Sequence, residues 1–355
     1  MRIRVALAML ASAFTMAVAR SGSATDCSGF ISSCVNDDPL WPHAGAAEFE
    51  AVGGTDVVSA RQLGFGLVTS YISRPIALEL RSPGGGSEQY AVNNQVDGTF
   101  LWAYGVGRRL ELDLALPVTF GQDGAGLSPV TGGTGLHDTA VRDLRFGFTY
   151  ALARHSWRSS RLSTRRGPSA RLAVRLEISA PTGDRDQFAG ERSGVFVPGL
   201  SAGIRADRLF AAAEVGARLR PTTELLGARV GSQMVAALGV GFDVLPRDLL
   251  SAAIEAWALP TLVGQDEIVL ADNAYASRPT GAALIPAEWQ ISSRSSPLRS
   301  VPLCIQLGGG GGLPLTGHES ITTPRFRFTL GIRWTPVVDG TARRNDTTAP
   351  SLESL

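Results

Sequence analysis

A serine, four histidines and a pair of aspartates are the residues of this chain whose types and surroundings come nearest to catalysis or metal binding. Gly199-Leu200-Ser201-Ala202-Gly203 matches G-x-S-x-G, whose serine acts as a nucleophile only on a sharp turn between a strand and a helix. Here the match sits inside a run of alternating apolar residues with a second run close behind it. That turn is therefore not expected, although His318 follows in the right chain order. His43, His137, His155 and His318 are scattered, with no H-E-x-x-H spacing and no neighbouring cysteine pair, so zinc has no ligand set. Asp184 and Asp186 follow Thr182-Gly183 and could meet calcium, but a solvated surface loop is the simpler reading. The glycine run 308–312 opens no helix, which leaves a phosphate no N-terminus to bind. The chain contains no lysine, so all 33 basic residues are arginine and a Walker A loop is excluded. No catalytic residue, metal site or cofactor is assigned.

The chain around these residues alternates with period two. Leu110, Leu112, Leu114, Leu116, Val118 and Phe120 share one parity, while Glu111, Asp113, Ala115, Pro117 and Thr119 share the other. A strand places the two sets on opposite faces. Soluble strands average about 5–6 residues, whereas a tilted strand needs roughly 9–11 to cross a bilayer, and this run has that length. Similar runs recur at 63–71, 92–104, 144–152, 172–178, 200–204, 209–219, 230–242, 250–259, 287–292, 301–307 and 326–334, making about twelve in all. An even number is what a single-chain bacterial barrel needs when both ends stay in the periplasm.

The links alternate as well. Those at 105–109, 206–208, 245–248 and 294–297 are tight; those at 81–87, 121–139, 181–194, 221–228, 260–281 and 308–324 are long and rich in Gly, Pro, Asp and Ser. Short periplasmic turns and longer external loops characterise outer-membrane barrels. The link 153–168 breaks the pattern, being long where a short turn is due and carrying Arg154, Arg158, Arg161, Arg165 and Arg166. It reads as a solvated basic loop on the periplasmic side.

Charges fix which parity faces inward. Glu111, Asp113, Asp143, Arg145, Arg175, Glu177, Glu214, Arg218, Glu255, Arg325, Arg327 and Arg333 all lie opposite the apolar stripe and are the expected lining of the lumen. An arginine facing lipid at the midplane would cost about 2–4 kcal/mol, so a one-residue slip is heavily penalised. With both signs present in comparable number, cross-strand ion pairs are expected inside. By the same logic an arginine at Ala115 should be tolerated where one at Leu114 should not.

Composition sets the compartment. With 44% hydrophobic residues and mean hydropathy +0.09 there is ample apolar material, and a net charge of +1 argues against nucleic acid as a partner. The 41 glycines suit turns and strand bends rather than helices, although 7% aromatic residues is low for full interfacial girdles. Arg2 and Arg4 precede an apolar run from Val5 to Ala19, with Gly22, Ser23 and Ala24 after it, the plan of a secretory signal peptide. Such a run falls short of the roughly 20 residues of a spanning helix. An exported chain can form disulfides, and Cys27 and Cys34 are the candidate pair, with Cys304 left inside a later strand. The expected organisation is a signal peptide over 1–24, a periplasmic segment over 25–59, the barrel over 60–335 and a disordered tail over 336–355.

The segments GFGLVTSYISRP (Gly64–Pro75), YGVGRRLELDLALPV (Tyr104–Val118), VRDLRFGFTYAL (Val141–Leu152), LEISAPTGD (Leu176–Asp184) and LRPTTELLGARVGSQMVAALGVGFDV (Leu219–Val244) resemble the barrel that precedes the peptidoglycan-binding domain in many OmpA-family proteins of Gram-negative bacteria. The P-T-G-D loop is also similar to barrels grouped with MetA-type, aromatic-degradation transporters. The resemblance implies an all-β, antiparallel transmembrane barrel in the outer membrane. Its departure is at the end, where only a polar stretch follows Trp334 and no peptidoglycan-binding domain is expected. The last strand, Arg325 to Trp334, ends on an aromatic and resembles the closing strand presented to the outer-membrane assembly machinery. The reading is a monomer in outer-membrane lipid, not an enzyme and without cofactors, serving as a passive pore for a small-molecule solute or as a structural barrel with a plugged lumen. The alternative is a secreted soluble β-sandwich or adhesin.

Overall fold

The structure, a computed structural model, describes residues 27, 29, 31–80, 87–157, 168–245, 249–271, 274–297, 301–315 and 322–336. The expected signal peptide, most of the basic link and the tail beyond Pro336 lie outside them. Twelve strands form a wall: β1 (Leu63–Leu80), β2 (Ser87–Gly105), β3 (Leu110–Asp123), β5 (Arg145–Ser156), β6 (Ser169–Ser179), β7 (Val195–Ala206), β8 (Leu209–Arg218), β11 (Gln233–Leu245), β12 (Leu250–Ala258), β15 (Ala287–Ser295), β16 (Leu303–Gly312) and β17 (Phe326–Trp334). A short strand, β4 (Ala140–Val141), patches the wall beside β3, and four more form two small hairpins in the long links: β9 (Thr223–Leu225), β10 (Ala228–Val230), β13 (Asp266–Ala271) and β14 (Ala274–Pro279).

Each of the twelve alternating runs is a wall strand, and neighbours in sequence pair antiparallel around the ring. The ring closes where β1 meets β17, with Phe65 opposite Trp334 and Ser73 opposite Phe326. Closure removes the sheet edges, which lipid could not hydrogen-bond, and it excludes a sandwich. One seam is irregular. β3 parts from β5 after Ala115–Arg145, beside Pro117, which has no N–H to give; β4 resumes the pairing at Val118–Val141.

The two faces differ as the pleat demands. Leu238, Ile254, Ile291, Leu307 and Phe328 point outward and are each more than half exposed, while Glu214, Glu255, Gln290, Gln306 and Arg327 point inward and are buried. An apolar outer belt on a closed barrel belongs in a bilayer.

The lumen is occupied, and by this chain itself. Ile31 bridges Leu225 of β9 at the end that carries the long loops, and Asp37 N–H donates to Phe188 O at 3.2 Å there. At the opposite end Ser59 N–H donates to Pro336 O at 2.8 Å, and Ala60 bridges Gly105 beside the β2–β3 turn. Residues 32–58 therefore thread the barrel from one mouth to the other, most of them buried and none exposed. This corrects the reading of 25–59 as a periplasmic lead-in. Irregular backbone is tolerated at membrane depth when protein surrounds it, and lack of periodicity is no sign of lying outside. Cys27 and Cys34 are joined by a disulfide at the long-loop mouth, Cα to Cα 5.7 Å. That mouth is covered by an apolar cluster of Ile76, Leu78, Ala91, Val92, Phe188 and Leu225.

Candidate functional site

An irregular segment in a dry lumen carries N–H groups with no ladder to join, and each needs an acceptor. The inward carboxylates of the wall supply them. Glu255 on β12 accepts from Glu50 N–H at 3.2 Å and Ala51 N–H at 2.8 Å. Glu214 on β8 accepts from Gly53 N–H, and Glu111 on β3 from Val58 N–H. Glu177 on β6 takes the Trp41 indole N–H and lies 2.9 Å from His43 Nδ1, whose Nε2 is 3.5 Å from Glu214.

The arginines of the wall answer the acids of the segment. Arg327 on β17 holds Asp38 at 2.8 Å and Glu288 at 2.8 Å. Arg333 binds Glu50 at 2.7 Å and His43 O at 2.6 Å. Arg142 reaches Asp37 at 2.7 Å and Asp97 at 3.0 Å, Arg205 reaches Glu48 at 2.9 Å, and Arg171 meets Asp56. Breaking one partner of such a buried pair costs about 3–5 kcal/mol, because the other is left charged and dry. Apolar contacts complete the packing: Leu40, Phe49 and Val52 meet Phe210, Ala212, Ala237 and Trp257.

Of the residues expected to line the lumen, Glu111, Asp113, Arg145, Arg175, Glu177, Glu214, Arg218, Glu255, Arg327 and Arg333 are buried there. Asp113 accepts from Thr149 at 2.7 Å, and Arg175 donates to Thr149 at 3.1 Å. Arg325 is a correction: it precedes β17 and is exposed, because its parity runs on past the end of the strand. Asp143 is buried but in the link between β4 and β5, where it accepts from Gly183 N–H at 2.7 Å and Glu191 N–H at 2.8 Å and ties two long loops together. Burial pushes its carboxyl up to about 7, against the hold of those two N–H groups. Ala115 does face inward, yet it packs with Ala44 and Val58 of the segment, so the room expected for an arginine there is already taken. Arg171, Arg205 and Glu288 are wall charges the alternation did not single out, and Arg142 is a further buried charge in the β4–β5 link beside Asp143. The expected cross-strand ion pairs are present, Arg205 to Asp243 at 2.6 Å and Arg327 to Glu288 at 2.8 Å, and the segment adds counter-charges that the alternation did not show.

Ser201 lies in mid-strand on β7 and is buried, so the turn that a nucleophilic serine requires is not there; His318 is outside the described residues. Asp184 accepts from Val141 N–H at 2.8 Å and Asp186 from Gln187 at 3.2 Å. Two cavities of about 20 Å³ each adjoin Trp41, each close to the size of one or two water molecules.

No family model matches the chain, and no curated protein matches it either. Among solved structures it is similar to the COG4313 outer membrane channel from Pseudomonas putida F1, at 15% identity and TM-score 0.48, over 79% of this chain and 98% of that one. A FadL homologue from Pseudomonas aeruginosa gives 10% identity and TM-score 0.37, over 84% and 99%. The toluene transporter TbuX from Ralstonia pickettii gives 10% and 0.33, over 80% and 90%. What decides the class is the chain's own geometry, an even-stranded antiparallel barrel with an apolar belt and alternating link lengths. The chain is an outer-membrane β-barrel. Its inner surface and the segment inside it form the candidate functional site.

Proposed function

We propose that the protein is an outer-membrane channel for small solutes, held closed by its own N-terminal segment. The reading rests on how the inward charges are satisfied. A purely structural barrel would need only strand-to-strand pairs such as Arg205 with Asp243 and Arg327 with Glu288, whereas here Glu111, Glu214, Glu255, Arg333 and Arg142 also bond to the segment. Once the segment shifts, those groups would face water as a polar passage lined by both signs. A polar interface also exchanges for water at smaller cost than an apolar one.

The segment has slack. Residues 32–58 would span about 90 Å if fully extended, while β1, with 18 residues, is about 60 Å long before any tilt. The segment is therefore folded back on itself and can straighten along one side of the wall with its ends held at Ile31 and Ala60. The resemblance of the P-T-G-D loop to that of MetA-type transporter barrels accords with this reading, and the long loops would then lie at the cell surface.

Single-channel recording in planar bilayers tests it. The native chain should be closed most of the time with brief openings, and Arg327→Met, which strands Asp38 and Glu288, should raise the open fraction at least tenfold. If Arg327→Met keeps heat-modifiable mobility on a detergent gel yet stays silent, the protein is a structural barrel.

A further inference from the structure

Trp41 is held in its slot by side chains of the wall. Arg145 of β5 and Arg218 of β8 both stack on its indole ring, their guanidinium carbons 4.3 and 4.7 Å from the ring centroid. Val195 and Val197 of β7 pack against it, and Glu177 of β6 accepts its N–H. Four consecutive strands thus hold one aromatic side chain of the segment. The two arginines are also under-used. Each is buried and donates only to a segment carbonyl, Arg145 to Pro42 O at 3.0 Å and Arg218 to Pro39 O at 2.9 Å, and neither has a carboxylate within ion-pair distance among the described residues. The Nε of each is buried without a partner, and each lines one of the two small cavities beside Trp41.

Among the described residues the lumen arginines Arg142, Arg171, Arg175, Arg205, Arg327 and Arg333 each lie within ion-pair distance of a carboxylate, so the two guanidiniums left without one call for an occupant other than Trp41. Guanidinium planes stack on aromatic faces and pair with carboxylates; an indole satisfies the first property and leaves the second unused. We propose that this slot is a solute-binding site for planar aromatic acids, in which the ring takes the place of Trp41 between Val195, Val197, Arg145 and Arg218. The carboxylate neutralises the two arginines, and a ring N–H or O–H is received by Glu177. In the closed state Trp41 is a resident stand-in that the solute must displace. This inference rests on the channel reading only for how the slot empties; the site itself belongs to the wall.

The full-length chain carrying Trp41→Ala, purified in detergent and checked for heat-modifiable mobility, is titrated calorimetrically with four probes. Indole-3-acetate should bind with one site per chain and at least tenfold more tightly than tryptamine, which has the same ring and the opposite charge, or than neutral indole. The N-methylated acid, 1-methylindole-3-acetate, should bind several-fold more weakly, because it has nothing to give Glu177. Adding Arg145→Met or Arg218→Met should weaken the acid at least tenfold. If Trp41→Ala does not assemble, Trp41→Leu serves, since it keeps the apolar packing and empties the ring edge. Tighter binding of tryptamine than of the acid, or equal binding of all four probes, would overturn the proposal. Binding of the acid by a chain that never conducts would refute the channel and leave the site. Conduction with no preference for the acid would do the reverse.

Discussion

The outer and inner faces of this barrel are built by the same strands, from residues that alternate one by one, yet they are stabilised by unlike means. On β11, Leu238 points outward and is 58% exposed, while its neighbour Ala237 points inward and is buried against the segment. The outer face needs only to be apolar, because lipid accepts any apolar shape. The inner face must match one particular partner, donor to acceptor and charge to charge, because the partner is a fixed stretch of the same chain. A substitution on the outside should therefore be judged by polarity alone, and one on the inside by fit.

The largest effect should come from violating the outer rule. Leu238→Arg places a charge at mid-strand against lipid, at about 2–4 kcal/mol, and should abolish the heat-modifiable form, whereas Leu238→Val should retain it. Retention with arginine would mean that this face does not meet lipid. Next comes a violation of fit that leaves polarity unchanged. Gly239 faces inward, and a side chain there would strike the Phe49 ring; overpacking of this kind costs about 1–3 kcal/mol. Gly239→Val should assemble normally, yet expose the segment to protease added on the long-loop side. A segment as resistant as in the native chain would show that Phe49 does not pack there.

The smallest effect should be a pH dependence confined to the loops. The folded-state value of about 7 for Asp143 lies above the ordinary carboxylate value of about 3.9. Folding therefore favours the protonated acid; its contribution is full below about pH 4 and is lost as pH rises through about 7. Hydrogen exchange in loop 180–194 should accordingly be faster at pH 8 than at pH 5, with the strands unaffected. Asp143→Asn should flatten the difference. An unchanged difference in that variant would assign the effect to another group.

How much could be read from sequence follows the same division. Period two needs only neighbours in the chain, so all twelve wall strands, the inward parity and the alternation of link lengths were legible. The partner of the inner face was not, because its contacts join residues far apart: Arg333 meets Glu50 across 283 positions. A compositional trace of it was nonetheless present. Between Val35 and Ser59 the chain has Asp37, Asp38, Glu48, Glu50 and Asp56 and no arginine, which complements a lumen rich in arginine. Parity also overreached where strands end. Arg325 lies outside β17, while Ala153 to Ser156, expected in a link, continue β5.

The central claim, that the lumen is filled by this segment, is tested most directly by a covalent link between the two. The hydroxyl of Thr55 lies 3.1 Å from where a Cβ on Gly203 of β7 would stand, within the reach of a disulfide, whose Cβ atoms are about 3.5–4.5 Å apart. In a Cys304→Ser background, Thr55→Cys with Gly203→Cys should cross-link spontaneously in whole cells, shift mobility on non-reducing gels and abolish channel openings until reductant is added. A fully folded, heat-modifiable barrel in which the two cysteines stay reduced and openings persist would contradict a segment seated in the lumen.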